Sequence, residues 1–240
     1  MVSYVVSAPR SGMNWLRFCV EHFYGVRTPG KTSLIDRQDD PSVAFLRSHD
    51  ALNWTRKREV GLWRYIDPAG TANDRVALVL RDPLETYVRM SKKSLLRFRC
   101  YVSNIRFYSD AVSPQKRVFY YDDLVAQPVA MLELMQFLDI APAPGRTAPS
   151  LDRVRAEWDE LGARSRAQYD VRQAVGGGSK TRENPTDFRY HQRALTDWHR
   201  DRAWRFLQRR LRPDEMALLA RYGPPAPMRR PLLSYVTDLY

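Results

Sequence analysis

Val2-Ser3-Tyr4-Val5-Val6-Ser7-Ala8-Pro9-Arg10-Ser11-Gly12-Met13-Asn14-Trp15-Leu16-Arg17-Phe18-Cys19-Val20-Glu21-His22-Phe23 decides how the rest of the chain is read. Val2, Tyr4, Val5 and Val6 form a short β-branched and aromatic run, as a buried strand requires. Pro9 and Gly12 interrupt it, with Arg10 and Ser11 between them. From Met13 the period changes, and Trp15, Leu16, Cys19, Val20 and Phe23 recur at helical spacing. The stretch therefore reads as strand, tight loop, helix.

A loop of this kind presents backbone N–H groups at a helix N-terminus, where a phosphate is readily held. Arg10 adds a positive charge, and Ser11 and Asn14 add neutral donors. The spacing G-x-x-x-x-G-K-S/T of a Walker A loop is absent, which argues against an enzyme that hydrolyses ATP or GTP. The plainer alternative is an ordinary strand-to-helix turn with an exposed arginine.

Further on, Val43 to His49 reads as a strand ending in polar residues, which places His49 where ligands collect in an open α/β sheet. Asp50 either orients that histidine or opens the next loop. Arg75 to Leu80 is continuously apolar after its arginine, as a central parallel strand should be. Arg81-Asp82-Pro83 follows at once, and Leu84 to Leu96 reads as a helix with Pro83 at its start. Lys116 to Tyr121 reads as a fourth strand, followed by an amphipathic helix through Met131, Leu132, Leu134, Met135 and Leu138. Leu151 to Arg172 reads as a charged helix. Gly176-Gly177-Gly178-Ser179 signals flexibility. Asp197 to Arg210 and Pro213 to Tyr222 read as two closing helices before a Pro-rich tail. The expected fold class is α/β, a single domain over residues 1–240. A mobile lid is expected over about 173–192, with C-terminal helices and tail over 193–240.

Ala8-Pro9-Arg10-Ser11-Gly12-Met13-Asn14-Trp15-Leu16 resembles the 5′-phosphosulfate loop of sulfotransferases that use 3′-phosphoadenosine 5′-phosphosulfate (PAPS), whose pattern is Pro-Lys/Arg-Ser-Gly-Thr-Thr-Trp-Leu. Met13 and Asn14 replace the two threonines. Arg47-Ser48-His49 resembles the family's Lys-Thr-His, where the histidine is the general base. Arg81-Asp82-Pro83 resembles its 3′-phosphate motif, with Arg89 at the family's serine position and Ser91 two residues on. Tyr121-Asp122-Asp123-Leu124 with Pro128 resembles its Tyr-Glu-Asp-Leu segment. Arg182 and Asp187-Phe188-Arg189 loosely resemble its closing loop, without that loop's glycines.

The resemblance spans roughly residues 2 to 190, and what it implies is specific. The fold it implies is a central parallel sheet of four to five strands flanked by helices. Arg10, Ser11, Gly12, Met13 and Asn14 would hold the 5′-phosphosulfate, with Arg10 also catalytic. Trp15 would offer a face to adenine. Arg81, Arg182, and either Arg89 or Ser91 would hold the 3′-phosphate, and Tyr121 would lie near the adenine or pack at its strand end. His49 would take the acceptor's proton. PAPS is then the donor and 3′-phosphoadenosine 5′-phosphate (PAP) the product. The acceptor is a hydroxyl or amine of a small molecule or glycan, and no metal is required.

Composition bounds the alternatives. Lys plus Arg is 39 and Asp plus Glu is 27, a net charge of +12, which favours an anionic partner. Two readings compete: a nucleotide or small-molecule kinase with an unusual P-loop, and a basic nucleic-acid-binding protein. Neither accounts for the ordered motifs, so no nucleic-acid partner is expected. The two cysteines, Cys19 and Cys100, form no C-x-x-C or Cys/His cluster and read as core packing rather than a zinc site or a disulfide framework. With no signal peptide and no apolar run of membrane-spanning length, the expectation is a cytoplasmic chain without a membrane anchor.

Overall fold

A computed structural model describes residues 1–30, 34–35, 43–56, 64–90, 93–174 and 190–226, and in it the change of period at Gly12 is a change of element. Strand β1 spans Ser3–Val6 and helix α1 spans Met13–Tyr24. Strands β2 (Leu46–Ser48), β3 (Arg75–Leu80) and β4 (Gln115–Tyr120) complete a four-stranded sheet. Its order is β2-β1-β3-β4 and every neighbouring pair is parallel. The remaining helices are α2 (Pro83–Arg89), α3 (Leu95–Asp110), α4 (Tyr121–Ala126), α5 (Pro128–Phe137), α6 (Leu151–Ala174), α7 (Asp197–Arg210) and α8 (Pro213–Ala217).

Alternation along the strands divides the apolar side chains between the two faces of the sheet. Val6, Val76, Leu78 and Leu80 meet Phe98, Tyr101 and Ile105 of α3 and Trp204 and Leu207 of α7. Val5, Ala77 and Val79 meet Leu16, Cys19, Val20 and Phe23 of α1, Met131, Leu134 and Met135 of α5, and Val154 and Leu161 of α6. Cover on both faces is what makes β3 apolar at every position after Arg75. Because the strands run parallel, the segments after β1, β2, β3 and β4 all emerge at one edge of the sheet. Cys19 and Cys100 are free, buried thiols, and burial pushes the Cys19 thiol well up. No helix among the described residues is long and apolar enough to cross a membrane.

The structure corrects several element boundaries. β2 keeps only Leu46–Ser48 of the expected 43–49 run. Its partner β1 offers Tyr4, Val5 and Val6, and the Ala44 N–H bonds instead to the Arg27 carbonyl. The expected helix over 84–96 is two helices. Met90 is extended, Lys93 takes a left-handed φ of 48°, and Ser94 starts α3 by accepting from the Arg97 N–H. The apolar spacing Leu84, Tyr87, Val88, Leu95 runs across the break and hides it. Tyr121 is the first residue of α4 rather than the last of β4. Pro213 to Tyr222 is α8 followed by a 3-10 turn at Ala220–Tyr222.

One buried carboxylate organises the chain after α1. Glu21 is 1% exposed. It accepts from the Thr28 hydroxyl and from the backbone N–H groups of Leu34 and Ile35, and it lies 3.6 Å from the Arg17 guanidinium. Arg17 in turn donates to Thr28 at 2.9 Å. Glu21→Ala removes the buried carboxylate that accepts from Thr28, Leu34 and Ile35 and pairs with Arg17. It should cost roughly 3–5 kcal/mol of unfolding free energy, the usual penalty for breaking a buried pair. Urea denaturation measures it, and a loss below about 1 kcal/mol, the size of a surface pair, would contradict this role.

Candidate active site

The loop after β1 is shaped by two left-handed residues. Arg10 has φ 72° and Gly12 has φ 82°. Glycine takes that conformation without strain, whereas an arginine does so at a cost, of about 1–2 kcal/mol. Ser11 between them is not left-handed, so φ changes sign along three successive residues. That alternation turns consecutive N–H groups the same way and makes an anion-binding concavity. Met13 and Asn14 open α1, so their N–H groups have no intrahelical partner. The Met13 side chain is buried in the core, which leaves its N–H as its available donor. The Ser11 hydroxyl is buried and has no hydrogen-bond partner among the described residues. A phosphate in the concavity would give this hydroxyl an acceptor, so the loop suits the group that the sequence implies.

The second arginine motif lies directly against the first. Arg81 is 4% exposed, and its Nη1 donates to the Arg10 carbonyl at 2.7 Å. Asp82 caps α2 by accepting from the N–H groups of Leu84 and Glu85 at 2.8 and 3.3 Å. The Tyr101 hydroxyl fixes the turn by donating to the Arg81 carbonyl at 2.7 Å. Burial holds the Arg81 guanidinium below its ordinary pKa; Tyr121, Glu85 and Asp122 oppose that shift, and nearby Arg89 reinforces it. Glu85, fully buried, lies 3.7 Å from Arg81 and accepts from Arg89 Nε at 2.8 Å. Arg89 thus sits beside Arg81. Ser91, the alternative at this position, lies outside the described residues, as do Arg182 and residues 175–189 of the expected lid. The Gln192 N–H, just beyond that stretch, donates to Glu85 at 2.8 Å.

Tyr121 closes the cradle from the β4 side. A Cβ at Gly12 would fall 2.5 Å from Tyr121 Cδ2, so the ring excludes any side chain there. The Arg81 guanidinium stands 4.0 Å from the same ring's centroid. The Trp15 indole N–H donates to the Leu124 carbonyl at 3.0 Å, and its ring meets Trp158 edge-on at 5.1 Å. Tyr121 therefore stacks against the phosphate loop and Arg81, while Trp15 lies half-buried between α4 and α6.

His49 follows β2 at the same edge. Its Nδ1 is 2.9 Å from the Ser7 carbonyl. A carbonyl only accepts, so Nδ1 carries hydrogen and, in the neutral ring, Nε2 is the basic nitrogen. The Asn104 amide donates to the His49 carbonyl at 3.0 Å. Asp50 does not orient the ring by the bonds it makes. Its carboxylate accepts from the Trp54 and Thr55 N–H groups and the Thr55 hydroxyl, which builds the following turn.

Two buried groups were not singled out by sequence reasoning as functional. Glu85 is one. Arg47 is the other: 6% exposed, with an Nε that has no hydrogen-bond partner among the described residues. Burial, reinforced by neighbouring Arg17, lowers its pKa to about 9. A charge amid Val43-Ala44-Phe45-Leu46 was the visible signal.

No protein-family model matches the chain. No curated protein matches it. Among solved structures it is similar to that of mouse sulfotransferase SULT7A1 complexed with PAP, at 12% sequence identity and a TM-score of 0.48, over 92% of this chain and 87% of that one.

Arg47 gives a prediction with a definite sign. Its folded pKa of about 9 lies well below the ordinary arginine value, so its penalty is fully present below pH 9. Between those values the unfolded chain holds the proton that the folded chain has released, so this contribution to stability rises with pH. Arg47→Met should raise the melting temperature of the ligand-free protein at pH 7, and its advantage over wild type should narrow above pH 9. A variant less stable than wild type at pH 7 would contradict an uncompensated charge at this position.

Proposed function

We propose that the protein transfers the sulfuryl group of PAPS to a hydroxyl or amine of a small-molecule or glycan acceptor. The observation that carries the reading is the 2.7 Å bond from Arg81 to the Arg10 carbonyl, which makes one cradle of two arginine loops. A bisphosphate nucleotide needs two anion sites side by side. The alternating loop at Arg10–Gly12 and the N-terminus of α1 suit the 5′ end, and Arg81 with Arg89 suits the 3′-phosphate. Trp15 and Tyr121 are the aromatic faces nearest the loop.

When bound, PAPS supplies an activated sulfuryl group on a phosphate leaving group. The chain's own residues do the rest. Arg10 and the N–H groups of the loop offset the charge that builds on the departing phosphate, the usual electrostatic task in such transfers. Tyr121 and Arg81 hold the loop in shape beforehand. His49 Nε2 accepts the proton of the attacking group, and the Ser7 carbonyl keeps that nitrogen unprotonated by fixing the hydrogen on Nδ1.

Two substitutions test the roles separately. His49→Ala should leave PAP binding within a few-fold and lower turnover on an aliphatic alcohol by about 10²–10⁴-fold. Arg81→Ala should weaken PAP binding by roughly 1.5–3 kcal/mol, the value of a hydrogen bond to a charged group. Calorimetry and a transfer assay with PAPS read both. Unchanged turnover in a folded His49→Ala protein would remove His49 as the base, and PAP affinity unchanged in Arg81→Ala would remove the second loop from the cradle.

A further inference from the structure

Beside the loop that follows His49 lies a cleft of about 290 Å³ between that loop, α3 and α7. It is lined by Asn53, Trp54, Arg56, Arg99, Phe206 and Arg210. Among the described residues three cations, two aromatic rings and one amide face a single space, and no acid lines it. Among the described residues none of the three arginines forms a salt bridge, and the Arg210 guanidinium instead stands 5.8 Å from the Phe206 ring centroid. Guanidinium groups beside flat rings are the chemistry that recognises an aromatic anion.

The cleft is also built in advance. Asp50, 1% exposed, uses its carboxylate to hold the N–H groups of Trp54 and Thr55 at 3.0 and 2.8 Å. The Ala51 and Leu52 N–H groups donate to the side chains of Asn104 and Ser103 at 2.9 and 3.0 Å. Those two residues lie on α3 just beyond Arg99, so the turn carrying Trp54 and Arg56 is fixed to the helix carrying Arg99. Asn53 and Arg56 both take left-handed backbone, with φ 52° and 50°. Such strain persists where surrounding structure enforces it, and it clusters at binding sites.

We infer that this cleft binds an aromatic or heteroaromatic anion. Trp54 and Phe206 contact the ring, and Arg56, Arg99 and Arg210 hold its carboxylate, sulfonate or phosphate. Because the cleft opens from the loop after His49, its ligand is the acceptor class; this assignment rests on the sulfuryl-transfer reading, whereas the binding site does not. In that role the acceptor's hydroxyl oxygen forms a new bond to sulfur, and the bond between sulfur and the 5′-phosphate oxygen breaks with its electron pair on that oxygen. The hydroxyl proton passes to His49 Nε2.

Calorimetric titration without nucleotide tests the site. The probes are 4-hydroxybenzoate, naphthalene-2-sulfonate and phenyl phosphate, with phenol and cyclohexanecarboxylate as the neutral and non-aromatic controls. At least one anionic aromatic probe should bind with a Kd of about 1 mM or tighter, and both controls at least about tenfold more weakly. Arg99→Ala and Arg210→Ala should each weaken binding about tenfold with the melting temperature unchanged, while Arg81→Ala should not. Absence of binding by all three probes overturns the site. So does binding that is lost in Arg81→Ala and kept in Arg99→Ala, which would put the ligand in the phosphate cradle. 4-Hydroxybenzoate is the probe with an acceptor hydroxyl; if it binds through Arg99 and is not sulfated in the presence of PAPS, the site stands and the acceptor assignment is contradicted.

Discussion

Arg81 Nη1 bonded to the carbonyl of Arg10 is the contact on which the functional edge depends. It joins the segments that leave two adjacent strands, β1 and β3, and does so with a charged donor at a buried position, where such a bond is stronger than in water. Glu85 makes the burial tolerable. It sits one helical turn along α2 and shares its carboxylate among Arg81, Arg89 and the Gln192 N–H. One acid thereby sets the position of two cations and ties down the chain that returns toward α7.

The cradle gathers arginines from successive strand ends. Arg10 and Arg81 follow β1 and β3, Arg47 lies within β2, and buried Glu85 lies 3.7 Å from Arg81. Taking a charge out of water costs stability unless it is well paired. At Arg47 burial, reinforced by Arg17, expresses that cost as a pKa lowered to about 9. Arg10 adds a strained φ of 72° to the same edge, in a loop whose N–H groups turn the same way.

Much of this was legible in the chain itself. The change of period at Gly12 marked strand, loop and helix, and the apolar run before Arg81 marked a strand covered on both faces. Local hydrogen bonding was less legible. β2 is short because the chain before it bonds elsewhere, the Ala44 N–H to the Arg27 carbonyl, and α2 and α3 are separate because Met90 is extended and Ser94 caps α3, although the apolar spacing continues. Asp50 could be read either as a partner for His49 or as a turn former, and only the bonds to Trp54 and Thr55 decide it. The cleft between Trp54, Arg99 and Phe206 had no sequence signal, since its walls come from three elements far apart along the chain.

The central claim is that two adjacent phosphate sites form one cradle, and calorimetric titration with PAP against adenosine 5′-monophosphate tests it most directly. The two ligands differ only in the 3′-phosphate assigned to Arg81 and Arg89. The account predicts that PAP binds roughly 10- to 100-fold more tightly, the value of one charge-assisted phosphate contact. Equal dissociation constants would contradict it.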